Sequence, residues 1–305
     1  MDPDLYREMA EIQQEHWWFR ARREILARVI ARLGLPEQAD VLEIGAGTGG
    51  NLAMLGVYGR VSAVEMDPFA REYASRISGI PVAYGCLPDA LPFADNAFDL
   101  ICLLDVLEHI DSDCDALRRV HALLKPGGRA VVTVPAYQWL YGAHDRAHHH
   151  VRRYTATQLA LRARGAGLAV MRSGYFNALL FPPIALHRLH EILTGRGEGH
   201  DAALPGRVAN GILHATFRLE KYIVPFTLFP YGTSVLAVLA RESPEITGSQ
   251  TGVALRDGRR RVHDTARPSR DLAARTGPLR CMGSERRRVH GRDSDLVLAE
   301  QHLDF

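Results

Sequence analysis

The stretch Val41-Leu42-Glu43-Ile44-Gly45-Ala46-Gly47-Thr48-Gly49-Gly50 decides how the rest of the chain is read. Val41, Leu42 and Ile44 form a short apolar run that stops at glycines in alternate positions, the pattern of a buried strand entering a tight turn. Glycine at such a turn lets the backbone approach a ligand closely. The next apolar strand, Val61-Ser62-Ala63-Val64, closes on Glu65, about twenty residues after the glycines. A carboxylate at that spacing can accept from two ribose hydroxyls. Together these features predict a nucleoside cofactor.

Glycine count alone leaves two cofactor classes open. Gly45, Gly47 and Gly50 also satisfy the GxGxxG pattern of nicotinamide dinucleotide enzymes, which hold a pyrophosphate at a helix N-terminus. Glu43 separates the two, because a carboxylate two residues before the first glycine suits a cationic ligand and repels a pyrophosphate. The E-x-G-x-G-x-G form resembles the class I S-adenosylmethionine-dependent methyltransferases, whose cofactor carries a sulfonium and an ammonium. The resemblance implies an α/β fold. Its core is a Rossmann-like seven-stranded sheet, mostly parallel with an antiparallel last strand and helices on both faces.

Further segments carry the same resemblance. The run Asp105-Val-Leu-Glu108-His109-Ile110 matches the end of the fourth strand in many small-molecule methyltransferases and implies that Asp105, or its neighbouring carbonyl, holds the cofactor ammonium. Leu124-Lys125-Pro126-Gly127-Gly128 before the strand 130–134 is typical of the family. The loop 85–93 resembles its adenine-contacting loop; Cys86 and Leu87 stand where an Asp often does, so Leu87 is expected against the purine and Asp89 is not. Glu108 and His109 are read as structural. At the N-terminus, Glu15-His16-Trp17-Trp18-Phe19-Arg20-Ala21-Arg22-Arg23 recurs in a bacterial subgroup and forms either an aromatic staple or a lid. As a lid it would pair Arg20 or Arg22 with the cofactor carboxylate, a match suited to a guanidinium fork; Arg20 is carried forward.

Pro135 leaves the carboxyl end of a central strand, where ligands of open α/β sheets bind. The segment that follows, 136–154, holds four histidines and ends in Arg152-Arg153-Tyr154. Its histidine–aspartate pair, later histidine and RRYT run resemble the same subgroup. By that resemblance His144, Asp145 and His150 are candidate catalytic residues, and Arg153 and Tyr154 candidate substrate contacts. Methyl transfer needs a base only for an acceptor whose proton has a high pKa; His144 or His150 would serve, with Asp145 orienting the ring. No metal is expected, since the three consecutive histidines have no Cys or Glu beside them in the chain.

Composition bounds the remaining possibilities. The 305 residues carry a formal charge of +2, and no strong basic excess favours nucleic acid. The four cysteines lack CxxC spacing and read as reduced thiols. Without a signal region or a run of 18 apolar residues, a cytoplasmic protein is expected. The organisation reads as an N-terminal helical lid (1–36), a catalytic domain (37–242) and a cap insertion at 177–230. From residue 243 the chain is Arg-rich, with 12 Arg and no Lys, and disorder is expected there. Two amphipathic stretches in the insertion favour a cap over the site, with peripheral membrane contact as the alternative; either suits a small, apolar or lipid-like acceptor. A nicotinamide oxidoreductase and a non-catalytic binding protein on the same fold are the competing readings.

Overall fold

A computed structural model describes residues 3–194 and 204–243. The Arg-rich tail, beyond Ser243, and the glycine-rich linker 195–199 lie outside the described residues. Helices α1 (Pro3–Ile12) and α2 (Trp17–Ile30) precede β1 (Ala39–Ile44), α3 (Leu52–Leu55), β2 (Gly59–Glu65), α4 (Pro68–Ser78) and β3 (Val82–Tyr84). Then follow β4 (Phe98–Leu104), a 3-10 turn (Leu107–His109), α5 (Asp113–Leu123), β5 (Leu124–Pro135), α6 (Ala143–Ala147), α7 (Ala156–Gly165) and β6 (Ala169–Phe176). The insertion supplies α8 (Phe181–Thr194) and α9 (Arg207–Arg218) before β7 (Ser234–Ala240).

The seven strands lie in the order β3-β2-β1-β4-β5-β7-β6. The first five pair in parallel, and β7 runs antiparallel between β5 and β6. The last strand among the described residues, β7, therefore sits inside the sheet and β6 takes the edge. Chain order reverses between β1 and β4, which places the glycine turn and the Asp105 segment side by side at the strand ends, the usual crevice of open α/β sheets. Continuous apolar strands are required because helices cover both faces. Leu42, Ile44, Ile101, Leu103, Val132 and Val134 pack with α5 and α7 residues. Val41, Leu100, Cys102, Val131 and Val238 pack with Ile25, Leu26 and Val29 of α2 and Phe217 of α9.

Sequence periodicity suggests one N-terminal helix, but the chain breaks at 13–16. Gln13 is buried because it turns into the glycine loop, donating to the Thr48 carbonyl at 3.2 Å and accepting from the Thr48 hydroxyl at 2.8 Å. His16 then caps α2, its Nδ1 accepting from Trp18 N–H at 3.3 Å. Six residues of α2 are buried, which makes it part of the core, while Gln13 after α1 and Arg23 of α2 stand over the glycine turn. The insertion locks onto α2. Glu24 accepts from Arg218 at 2.9 Å and from Lys221 at 2.6 Å and contacts His214 at 3.2 Å, while Asn210 bonds Trp17 N–H and the Glu15 carbonyl.

Glu220, absent from any sequence motif, holds the start of the insertion. It is fully buried and accepts from the N–H groups of Asn177, Ala178 and Leu179 at 2.6, 2.7 and 2.9 Å. Its replacement leaves three N–H groups without acceptors, each worth about 1–3 kcal/mol when buried. Glu220→Ala is expected to lower unfolding free energy by on the order of 3 kcal/mol in urea titration, with Glu220→Gln intermediate; an unchanged midpoint contradicts this anchoring role.

Candidate functional site

A cavity of about 940 Å³ opens above the carboxyl ends of β1, β2, β4 and β5. The glycine turn forms its floor. At Gly45 (φ +73°) a Cβ would stand 2.6 Å from Val106 Cγ2, and at Gly49 (φ +81°) 2.9 Å from Ala74 Cβ, so both positions are restricted by conformation and by space. At Gly47 (φ +54°), which lines the cavity, a Cβ would meet nothing within 4 Å, so the left-handed backbone alone restricts the position. Its N–H donates to Glu65 Oε2 at 2.8 Å. The other oxygen of Glu65 accepts from Met66 N–H at 2.8 Å, Asp67 N–H at 3.0 Å and the Tyr6 hydroxyl at 3.5 Å. Glu65 is thus fixed by its own turn while Oε2 keeps acceptor capacity toward the cavity. Tyr6 comes from α1, and no motif marked it.

Beside the turn lies a buried ion pair. Asp105 adopts a left-handed backbone (φ +62°) and accepts from Thr133 Oγ1 at 3.1 Å. Arg22 Nη2 stands 2.8 Å from Asp105 Oδ2 and 2.7 Å from Thr133 Oγ1, with the guanidinium 4.8 Å from the Trp18 ring centroid. Arg22 lines the cavity. Arg20, the arginine carried forward from the sequence, is exposed and does not line it. The correction follows from helix geometry, since Arg22 shares the face of Ile25, Leu26 and Val29 while Arg20 points away from it. Glu43 is displaced in a similar way. It is buried behind the turn, outside the cavity lining, and accepts from Asn51 Nδ2 at 2.8 Å. Burial pushes its carboxyl up to about 7, against the opposing pull of Asn51 and Arg22. Leu87 lines the cavity on the loop closed by the Cys86–Ala90 pairing, and so does Asp89.

The opposite wall is made of histidines. Asp145 is fully buried and accepts from Gly142 N–H at 2.7 Å and from Arg153 Nε and Nη2 at 2.7 and 2.9 Å; His150 Nδ1 lies 2.8 Å from it. Although burial alone would raise it, the hydrogen bonds of His150 and Arg153 hold this carboxyl well below its usual range. His144, His148 and His150 line the cavity, with the His144 and His148 ring centroids 4.2 Å apart. Arg153 also lines it, but its fork is committed to Asp145. Tyr154 does not reach the cavity. It is buried in the core, where its hydroxyl donates to Asp113 Oδ2 at 2.8 Å, because its backbone pairs with Ala136 and turns the ring inward. Glu108 and His109, read from the sequence as structural, both line the cavity beside His150.

A methyltransferase-domain family model matches residues 18–173. A ubiquinone/menaquinone biosynthesis C-methyltransferase of Desulfotalea psychrophila is 31% identical over 147 residues, covering 45% of this chain and 56% of that protein. A demethylmenaquinone methyltransferase of Tropheryma whipplei is 31% identical over 130 residues, covering 40% of this chain and 48% of the relative. The chain thus spans about half the length of these relatives. Among solved structures, a Haloferax volcanii protein assigned as a methyltransferase, in complex with the Trm112 activator, superposes with a TM-score of 0.51 at 19% identity, covering 77% of this chain and 94% of its own. A Galdieria sulphuraria protein assigned as a sarcosine dimethylglycine methyltransferase gives 0.50 at 18% identity, with 72% and 85% covered. At these identities the two structures speak to the fold alone.

The environment of Glu43 makes stability depend on pH. Its folded pKa of about 7 lies above the unfolded value of 4.5, so the folded state holds the proton more tightly. The resulting stability is full below about pH 4.5 and lost as pH rises through 7. Glu43→Gln is expected to gain on the order of 3 kcal/mol over the wild type at pH 8, with little difference at pH 4.5, in urea unfolding at the two pH values. An equal gap at both would contradict the shifted pKa.

Proposed function

The chain belongs to the S-adenosylmethionine-dependent methyltransferase family, and on that premise we propose that it transfers a methyl group to a small apolar acceptor held between the glycine turn and the histidine wall. The carrying observation is the lining of the cavity at the strand ends, with Gly47 and the Arg22–Asp105 pair on one side and His144 and His150 on the other. Bound there, S-adenosylmethionine supplies an electrophilic methyl carbon on its sulfonium. Arg22, whose Nε has no protein partner, would hold the cofactor carboxylate. Asp105 would hold the ammonium, Glu65 a ribose hydroxyl, and Leu87 the purine face. These contacts fix the donor, and the main contribution of the chain is near-attack geometry.

Several observations support an apolar acceptor. Leu140, Ile184 and Trp17 line the cavity together with the histidines. On the insertion, Leu186, Leu189, Val208 and Ile212 are exposed, apolar surface that a cap over such a site would carry. No helix among the described residues is long and apolar enough to cross a membrane. The quinone chemistry named for two relatives points the same way. For an acceptor that must lose a proton, His144 and His150 are the bases at hand, with Asp145 fixing the ring of His150 through Nδ1.

Calorimetric titration with S-adenosylhomocysteine tests the cofactor end. Arg22→Ala is expected to weaken binding about 100-fold, near 3 kcal/mol for lost charged hydrogen bonds, and Arg20→Ala to leave it unchanged. No binding to folded wild-type protein would overturn the reading. At the acceptor end, labelled methyl is expected to appear on hydroxylated aromatic compounds with apolar substituents and not on free amino acids. Binding without transfer to any acceptor would favour a non-catalytic module.

A further inference from the structure

We propose that Glu108, His109 and His150 form a binding site for one divalent cation of the zinc class at the acceptor end of the cavity. Their ligand atoms all lie within 4.8 Å of one another. Donors around zinc stand roughly 3.3 Å apart, given bonds near 2.0 Å in a tetrahedral arrangement, so rotation of the Glu108 and His109 side chains toward the fixed His150 closes the triad.

Glu108 carries the argument. Its side chain is fully buried, and neither carboxylate oxygen has a hydrogen-bond partner from another residue. A buried carboxylate left this way is costly and calls for a proton or a cation. The neighbouring arginines do not supply one, since Arg22 is paired with Asp105 and Arg153 with Asp145. His150 is already oriented as a metal ligand is. His150 Nδ1 is tied to Asp145 at 2.8 Å, leaving Nε2, and the His109 ring stands against it. Such an oxygen partner on the far nitrogen fixes the tautomer and raises ligand basicity. The two rings meet edge-to-face at 4.7 Å. The backbone holds the halves together, because Val151 N–H donates to the Glu108 carbonyl at 2.8 Å.

Two imidazoles and one carboxylate suit zinc, cobalt or manganese and leave positions open. Those positions face the cavity that all three residues line. The role of the cation rests on the methyltransferase reading: an acceptor oxygen bound there loses its proton at lower pH than in water, the proton passing to His144. This divides the work between the two candidate histidines, with His150 a ligand and His144 the base. The binding itself does not depend on that reading.

The test is zinc titration of the full-length chain after dialysis against EDTA, with cobalt absorbance as the spectroscopic readout and S-adenosylhomocysteine binding measured on the same samples. The wild type is expected to bind one equivalent that Glu108→Gln and His150→Asn each weaken at least 100-fold, while a His144→Ala, His148→Ala variant retains it. No binding, or binding that survives Glu108→Gln and disappears in the His144, His148 variant, overturns the site and marks the loop histidines as adventitious ligands. Homocysteine-nucleoside binding without zinc binding overturns this site alone. Zinc binding without it overturns the cofactor reading and leaves the site standing.

Discussion

The buried guanidinium of Arg22 is the constraint around which the cavity is arranged. A charge taken out of water must be paired and hydrogen-bonded, and Arg22 finds its partners on two different strands, Asp105 after β4 and Thr133 on β5. Meeting them fixes where α2 crosses the sheet. The apolar stripe of Ile25, Leu26 and Val29 then seals against Val41, Leu100 and Val131, so charge pairing and hydrophobic burial select the same helix position. Asp105 is in turn held in a left-handed conformation, a backbone state that persists only where surrounding contacts over-determine it. Removing the arginine would release the helix register and the strained turn together.

Asp145 plays the equivalent part at the far end. Its carboxylate collects a backbone N–H, both donors of the Arg153 fork and one nitrogen of His150. That satisfaction is what makes full burial tolerable, and it removes Arg153 from any direct duty toward a ligand. It also leaves His150 rigid, since the ring cannot turn without losing its bond. The cavity therefore has two polar ends, one built on the buried Asp145 carboxylate and the other on the buried Arg22 guanidinium with the partly exposed Asp105. Between them Glu108 is the exception, buried on the same wall with neither oxygen satisfied by a neighbour.

What could be read from the sequence followed the range of the interactions involved. The glycine turn, Glu65 and the strand pattern are local signals, and β1, β2 and β4 stand where those signals put them. Arg22 was legible in principle, because it continues the 22, 25, 26, 29 stripe of buried positions, but a cluster of three arginines hid the distinction from Arg20. Tyr154 misled because its aromatic ring and its motif both suggested a ligand, whereas a single backbone pairing with Ala136 sends it into the core. Glu220 and Gln13 carried no signal, as their partners lie 41 or more and 35 residues away. The one acid within the histidine segment, Asp145, is taken up by Arg153 and His150, and the fold brings Glu108 to the segment from a different strand end.

The N-terminal lid expected from the sequence divides in two when burial is weighed. Helix α2 buries six side chains and is bound to the insertion through Glu24 and Asn210, so moving it would expose core and break an ion cluster. Helix α1 buries only Ala10 among its described side chains and is tied down through Gln13–Thr48, Tyr73 to the Ala10 carbonyl and the long Tyr6–Glu65 contact. Segments with few buried contacts open at low free energy. The break at 13–16 is then a boundary of burial, and Gln13 ties it to the glycine turn. Arg22, seated on Asp105, lies on the buried side of that boundary, and Tyr6, reaching Glu65, on the other.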